Sequence, residues 1–402
     1  MSIESIVCEQ RATKFNVTWA GQGQAFLVSS VRSSADAAQA ASEYYIRIAE
    51  ALRENGLEVV QERIFGSLSV EASVMAARDR ALRACGIASG NPVTYIEGTP
   101  PWGEGLAGTI IHAVSSSSPN DVWTIMDGKH PCGRGWKRGS LTYLMLQNIN
   151  GKHGSSNGNG TRHVQVRHML DRAERILREN GASYREVVRT WFYLSNILDW
   201  YAAFNKVRNE KYGEFGIMPG PGDRDLLLPA STGIRGESSS GAAATMDLIA
   251  IIGEPGTRAA VKQLTNVAQL DAFRYGSAFS RGALIKDHDV SLIEISGTAS
   301  IDQRGKSQFV GDIRGQINCT FEKIEKLIGG EGADLKDIAA ATVFVKRPEY
   351  AERFREMARD RGLEELPAVC IVADVCREEL LFEIDAEAAS VHLERGRHHG
   401  KD

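Results

Sequence analysis

Residues 364–388 read EELPAVCIVADVCREELLFEIDAEA, and this stretch decides the fold prediction for the whole chain. Two apolar runs with β-branched residues flank a charged break, which predicts two buried strands joined by a tight turn. Side chains alternate between the two faces of a strand, so Glu383 points away from its neighbours Phe382 and Ile384. A carboxylate in such an apolar strand is either half exposed or held in a site.

The order of elements that leads to this stretch occurs three times along the chain. In each copy a first helix ends at a glycine junction and a strand follows; the junctions are Glu54-Asn55-Gly56, Glu179-Asn180-Gly181 and Glu331-Gly332. Each copy is predicted to have the order β-β-α-β-α-β-β. We therefore predict an α+β chain of three tandem units, each a sheet covered on one face by two helices. Three such faces in one chain favour an intramolecular pseudo-trimer, a homotrimer fused head to tail.

The length of the chain agrees with this organisation, because 402 residues are enough for two or three domains. We divide the chain at the ends of the three copies. The predicted divisions are a degenerate first unit (1–125), a middle unit (126–258), a third unit that carries the main site (259–395) and a tail (396–402).

Composition limits the function classes. The net charge of −4 gives no broad basic field, so we expect no nucleic-acid partner. The amino terminus lacks a signal-peptide pattern and no apolar run reaches membrane-spanning length, which predicts a cytoplasmic chain without a membrane partner. Six scattered cysteines without a Cys-x-x-Cys pair favour reduced thiols over a zinc site, and we predict no metal. We expect a monomeric pseudo-trimer and leave further self-association open.

The third copy carries family motifs. They are FSRG at 279–282, EISGTASI at 294–301, Gly311-Asp312 and FEID at 382–385, and together they resemble the RidA/YjgF (endoribonuclease L-PSP) family. The resemblance implies chorismate-mutase-like units. Free-standing members are homotrimers with a site at each subunit interface, so it also implies sites between units.

A longer pattern is similar to one branch of that family, the chorismatases. It consists of RTWFYL at 189–194, Phe204-Asn205 with Arg208, PASTGI at 229–234 and YGSAFSR at 275–281. Those enzymes hydrolyse chorismate or convert it to 3-hydroxybenzoate without a cofactor, so the resemblance implies such an enzyme with no cofactor. Cys376, seven residues before Glu383, matches the cysteine of the 3-hydroxybenzoate-forming subgroup.

Two alternatives stay open beside this enzyme. RidA deaminases carry an arginine directly after the Pro-Ala of the closing hairpin, and here Val369 and Ser231 occupy those places. The first alternative is an imine or enamine deaminase, or another small-carboxylate enzyme of secondary metabolism, and this departure counts against deamination. The second alternative is a non-catalytic scaffold that binds a small molecule.

The chemistry implied by the resemblance needs an acid and anion-binding groups. An enol ether is cleaved after slow protonation of its terminal methylene carbon, which requires a positioned general acid, and we predict Glu383. Chorismate brings two carboxylates, which arginine binds bidentately. The predicted substrate-binding residues are Arg281, Arg208, Tyr275, Cys376, Ser231 and Thr232.

The closing strands predict a single site. The third unit has Glu383, the middle unit offers Asp247 as its counterpart, and the first unit, with the strand at 108–114, offers no carboxylate. We therefore expect one working cleft for a small anionic substrate, bordered by the final strand of the third unit and completed by the middle unit.

Overall fold

The computed structural model describes residues 5–9, 13–32, 36–102, 105–118, 120–152, 160–218, 228–253, 260–265, 277–287 and 289–391. Within these ranges the chain forms three six-stranded sheets in succession, and two α-helices belong to each sheet. The predicted α+β class with three units is confirmed. Tyr275 and the tail at 396–402 lie outside the described residues.

The first unit has the sheet order β1-β2-β3-β6-β4-β5. Its elements are β1 Ser5–Glu9, β2 Thr13–Trp19, β3 Gln24–Val31, α1 Ala37–Glu54, β4 Leu57–Gly66, α2 Glu71–Ala84, β5 Thr94–Glu97 and β6 Leu106–Ser115.

The middle unit has the corresponding order β7-β8-β9-β12-β10-β11, read from the other edge. Its elements are β7 Val122–Asp127, β8 His130–Arg138, β9 Leu141–Asn150, α3 Arg162–Glu179, β10 Val187–Leu194, α4 Tyr201–Glu214, β11 Ala230–Arg235 and β12 Ala244–Gly253.

The third unit has the order β13-β14-β15-β18-β16-β17. Its elements are β13 Val261–Leu264, β14 Gly282–Asp287, β15 Val290–Ala299, α5 Ile313–Gly329, β16 Ile338–Val345, α6 Glu349–Asp360, β17 Ala368–Val372 and β18 Phe382–Val391.

The sequence explains the helix positions. In α3, the residues Val166, Leu170, Ala173 and Leu177 recur at helical spacing and are fully buried against the middle sheet. The chain leaves this helix through Gly181, whose φ of 80° favours glycine. The predicted glycine junctions therefore mark real helix ends.

Three features differ from the sequence predictions. Each unit contains an additional strand before its first helix, because short strands such as β13 give only a weak pattern. The predicted hairpin is wrong: β17 pairs in parallel with β16, while β18 lies on the other side of β16 and pairs antiparallel with it. The boundary between 125 and 126 falls inside β7, which pairs with β8 of the middle unit.

The units pack in a closed ring, because the edge strand of each one lies against the sheet of the next. The contacts join β4 and β5 to β8 and β9, β11 to β14 and β15, and β17 to β3 and β6. The helices lie outside, over separate apolar cores, while the opposite sheet faces share one central core with residues from all three units. Two of the interfaces contain cavities, one between the middle and third units and one between the third and first units.

Candidate active site

One cavity of about 740 Å³ lies between the middle and third units. Its walls come from α4 and β11 on one side, and from β15, β18 and the segments that precede β14 and β18 on the other. The structure thus brings together five of the seven predicted side chains, which are Glu383, Arg281, Arg208, Cys376 and Ser231.

Backbone bonds hold the two walls of this cavity together. β11 is the edge strand of the middle sheet, so its outer side is open for pairing. Ser280 N donates to Pro229 O at 3.0 Å, and Ser231 N donates to Ser296 Oγ at 2.8 Å. These bonds fix Ser231 opposite the third unit.

Glu383 reaches the cavity because of strand alternation in β18. Phe382 and Ile384 face the outer core under α5 and α6, so Glu383 and Asp385 face the centre of the ring. Glu383 is 5% exposed, and it lies at the point where the strand meets the cavity. As predicted, the side chain of Glu383 therefore lies on the opposite face of the strand from those of Phe382 and Ile384.

Burial sets the protonation state of Glu383. Desolvation is the main cause that raises the pKa of this carboxyl to about 8, and the neighbouring charge of Asp385 acts in the same direction. Arg281 and Arg189 oppose both effects. At neutral pH the side chain is therefore mostly a neutral acid, which is the form that can donate a proton.

A glycine makes room for the Glu383 carboxyl. The pairing of β15 with β18 shifts register between Ile295 and Thr298, and Gly297 lies in this bulge. A Cβ atom on Gly297 would lie 2.1 Å from Glu383 Oε1 and 3.3 Å from Thr232 Cγ2. Any side chain at this position would displace the carboxyl from its place in the cavity wall.

Both predicted arginines, Arg208 and Arg281, line the cavity, together with Arg377. Arg208 is 1% exposed; its Nη2 donates to Asn205 Oδ1 at 2.7 Å, and Phe204 and Phe279 lie 5.5 and 5.6 Å from its guanidinium carbon. The guanidinium carbon of Arg281 lies 5.2 Å from the same Phe279 ring. Phe279 is therefore within cation–π distance of both guanidinium groups.

Thr232 does not line the cavity, which corrects its prediction as a substrate-binding residue. Residues alternate along β11, so Ser231 and Gly233 face the cavity while Thr232 is buried. Its hydroxyl donates to Asp385 Oδ2 at 2.8 Å. It also accepts from Arg189 Nη2 at 2.8 Å and from Gly297 N at 3.2 Å. Thr232 thus connects the bulge beside Glu383 to the buried charges behind it.

Those buried charges come from different units. Asp385 Oδ2 lies 3.3 Å from Arg189 Nη2 of the middle unit, and Glu387 Oε1 lies 2.6 Å from Arg63 Nη2 of the first unit. The guanidinium carbons of Arg63 and Arg189 lie 4.5 and 4.3 Å from the centroid of the Trp191 ring. Breaking such a buried pair leaves an uncompensated charge, so the network disfavours sliding of one unit against another.

Comparison with known proteins finds two chorismatases that are similar to this chain. No protein-family model matches the chain. A curated chorismatase from Streptomyces hygroscopicus is 28% identical over 229 residues, which cover 51% of this chain and 62% of that protein. A chorismatase crystal structure aligns with a TM-score of 0.56 at 20% identity, covering 82% of this chain and 92% of that one. The chain is chorismatase-like in sequence and in fold.

Smaller solved proteins are also similar to part of this chain. A member of the YjgF/YER057c/UK114 family from Mycobacterium tuberculosis covers 32% of this chain and 99% of its own length, with 22% identity and a TM-score of 0.26. The predicted resemblance to chorismatases is confirmed at the level of sequence similarity over 229 residues, and the crystal structure adds similarity of fold. The 3-hydroxybenzoate-forming type stays a prediction.

Strand register identifies the counterparts of Glu383 in the other units. The central strands β6, β12 and β18 pair with β4, β10 and β16, respectively. Each of these pairings has a bulge at the same place. Counting from these bulges, the residues opposite Phe65, Tyr193 and Phe344 are equivalent; they are Gly108, Thr245 and Glu383. Asp247 is therefore the counterpart of Asp385, which corrects its predicted match to Glu383.

Asp247 has a different setting from Glu383. It is buried, its Oδ1 accepts from Thr94 Oγ1 at 2.6 Å and from Asn148 N at 2.8 Å, and burial raises its pKa to about 6. Among the described residues, only the third unit therefore has a carboxyl at the position of Glu383.

Cys376 borders the cavity beside Glu383. Burial raises the pKa of its thiol to about 12, and the Glu383 charge acts in the same direction. The group is therefore a neutral thiol near pH 7, which makes it a poor nucleophile. Its place suits a wall residue that shapes the space around a bound molecule.

Several cavity residues were not predicted from the sequence. They are His163, Trp200, Tyr201, Asn205, Gly297 and Arg377. Asn205 could have been predicted from the Phe204-Asn205 pair, which resembles the chorismatase pattern. The role of Gly297 could not, because it depends on the register shift between β15 and β18.

Neither a metal cluster nor a membrane-spanning helix is found among the described residues. No group of three or more histidine, cysteine or acidic side chains in these ranges is placed to hold a metal ion. Within the same ranges, every helix is too short or too polar to cross a membrane.

Proposed function

We propose that the chain cleaves the enolpyruvyl ether of chorismate or a close relative, with Glu383 as the general acid. The observation that carries the proposal is a buried carboxyl with a raised pKa, in the same cavity as Arg281 and Arg208, in a chain that is similar to chorismatases. The substrate class we propose is a small dianion, because three arginines, Arg208, Arg281 and Arg377, border the cavity.

The first chemical step is proton transfer from the Glu383 carboxyl to the terminal methylene carbon of the ether. This breaks the O–H bond, forms a C–H bond and leaves a cation stabilised by the ether oxygen. The resulting Glu383 carboxylate then faces that cation at short range. Because Glu383 is 5% exposed, water screens this attraction little, and the attraction favours the charged intermediate.

The product depends on whether water takes part in the next step. Addition of water to the cation and collapse gives pyruvate and a dihydroxycyclohexadiene carboxylate, which together contain one more water than chorismate. Pyruvate and 3-hydroxybenzoate together contain only the atoms of chorismate. We favour 3-hydroxybenzoate, because the neutral Cys376 thiol occupies the wall beside Glu383 and matches the cysteine of that subgroup.

Incubation with chorismate tests the proposal. Purified protein is mixed with chorismate, pyruvate is measured enzymatically, and the ring product is separated by chromatography. We expect pyruvate and one ring product in equal amounts. Failure to release pyruvate above the level of the Glu383→Gln variant would contradict the proposal, and a dihydroxycyclohexadiene product would contradict only the favoured product.

Arg281 is expected to bind a substrate carboxylate. Replacing it with alanine removes a charge-assisted hydrogen bond worth about 1.5–3 kcal/mol, so KM should rise roughly 10- to 100-fold. Arg281→Lys keeps the charge and loses the bidentate geometry, so its KM should lie between the two. Steady-state kinetics with chorismate measure this order; a KM for Arg281→Ala equal to that of the parent protein would remove Arg281 from the binding site.

The pH dependence of kcat/KM should report the Glu383 carboxyl of the ligand-free protein. The acid is active when protonated, and its pKa is about 8, so kcat/KM should be high below this pH and fall about tenfold per unit above it. Cys376 titrates far higher, at about 12, and cannot produce this limb. The limb should therefore persist in Cys376→Ser, and a kcat/KM that is constant from pH 6 to pH 10 would exclude Glu383 as the acid.

The deaminase alternative is less compatible with this cavity. Deaminases of the family resembled here carry an arginine at the place of Ser231, and the Ser231 side chain faces the cavity without such a charge. Ammonia release from 2-aminoacrylate, measured in parallel with pyruvate release from chorismate, distinguishes the two chemistries.

A further inference from the structure

A second cavity of about 400 Å³ lies at another interface of the ring, between the third and first units. α6 and β17 form one side of it, and the end of β3 together with Trp102 forms the other. It does not share a lining residue with the cavity that contains Glu383.

Register shows that the two cavities are equivalent places in the ring. Ser231 and Gly233 of β11 correspond to Ala368 and Cys370 of β17, since each pair is matched to the same positions of β10 or β16. All four line their respective cavities. The two cavities are therefore copies of one interface site that have diverged.

The second copy has lost the acid. Gly108 occupies the position of Glu383, and a Cβ atom there would lie 2.9 Å from Val369 Cγ2 and 2.2 Å from Ser29 O. No side chain fits at Gly108 without movement of the backbone of β3. This cavity therefore has no carboxyl placed for the proton transfer proposed for Glu383.

The second copy has kept groups that suit an anion with an apolar body. Arg355 stacks on Trp102, with the guanidinium carbon 4.3 Å from the ring centroid. The Trp102 indole N–H is buried and has no hydrogen-bond partner among the described residues. Apolar side chains such as Phe354 and Ala358 line the same cavity. Donors beside an apolar wall are typical of sites for small organic acids.

Three glutamates line this cavity, and all three, Glu352, Glu364 and Glu365, are exposed residues whose charge is screened by water. Glu365 Oε2 is paired with Lys14 Nζ at 2.6 Å. Glu352 Oε2 lies 3.5 Å from Arg355 Nη1, but its side chain is 62% exposed, so the pair is weak. A carboxylate that enters the cavity can replace Glu352 as the partner of Arg355 at little cost.

We propose that this second cavity binds a small aromatic monocarboxylate and does not transform it. The carboxylate is bound by Arg355 and the Trp102 N–H, and the ring lies against the apolar side chains of α6. The chain then has one site built for chemistry and one for binding alone. This proposal does not rest on chorismate cleavage, because its ligand class follows from the donors of the second cavity.

Titration calorimetry with benzoate as the probe tests the proposal on the full chain. We expect an Arg355-dependent site, with affinity at least tenfold lower in Arg355→Ala. The affinity for benzoate should be unchanged in Arg353→Ala. This variant is a matched control, because Arg353 is on the same helix, is 50% exposed and pairs with Glu356. Binding should also remain in Arg281→Ala, which removes a charge from the first cavity only.

Two further measurements keep the outcome decisive. Circular dichroism and thermal melting show whether Arg355→Ala folds, and Trp102→Phe removes the indole donor by an independent change. Benzoate binding that is unaffected by both variants, or that disappears entirely in Arg281→Ala, would overturn the proposal. Absence of chorismate turnover would leave it standing, so the two failures are distinguishable.

Discussion

Glu383→Gln should lower kcat for chorismate about 10²- to 10⁴-fold, which is the usual range for loss of a general acid. The amide has nearly the shape of the carboxylic acid, but it cannot donate a proton of comparable acidity. Because Glu383 is already mostly neutral at pH 7 and is buried, the substitution removes no charge that stabilises the fold. Substrate binding should therefore change much less than kcat, which single-turnover and steady-state kinetics can separate.

Asp247→Asn is the matched control for this prediction. Asp247 is also a buried carboxyl on the central strand of its unit, but it bonds to Thr94 and Asn148 at a different interface. We expect chorismate turnover by Asp247→Asn to stay within a few-fold of the turnover by the parent protein. Loss of activity in Asp247→Asn together with full activity in Glu383→Gln would reverse the assignment of the acid.

The sequence predicted the fold well because its three copies repeat helix and strand signals with glycine junctions. It failed where pairing is decided by distant contacts. Residues 364–388 look like a hairpin, yet β16 separates β17 from β18, because a parallel strand in this sheet is reached through α6. Local apolar runs indicate that two strands exist, but they do not determine which strands pair with them.

The roles of the candidate site residues stay predictions, and their position in the cavity was predicted where residue chemistry is distinctive, as for Glu383 and Arg281. It was mispredicted at Thr232, because one residue of register along β11 decides whether a side chain enters the cavity or the buried network. The same reason explains why Asp247 looked like a counterpart of Glu383. Strand register depends on bulges, and no local pattern in this sequence marks them.

Gly297→Ala should abolish most activity without changing any chemical group of the site. The new Cβ atom would lie 2.1 Å from Glu383 Oε1, so the carboxyl must rotate away from its place in the cavity wall. A shift of this kind misplaces the acid relative to the carbon that it protonates, and misplacement of about 1 Å can cost roughly 10²-fold in rate. The atom that must move is the end of a flexible side chain, so the melting temperature should fall only slightly.

Gly329→Ala provides the control, because a Cβ atom at this helical residue has no neighbour within 4 Å. Chorismate turnover and thermal melting are measured for both variants. We expect Gly329→Ala to match the parent protein in both measurements, whereas Gly297→Ala melts near the parent temperature and turns over chorismate at least tenfold more slowly. Full activity in a folded Gly297→Ala protein would mean that proton transfer does not depend on the observed position of the Glu383 carboxyl, and the acid would then have to be sought among the other groups of the cavity.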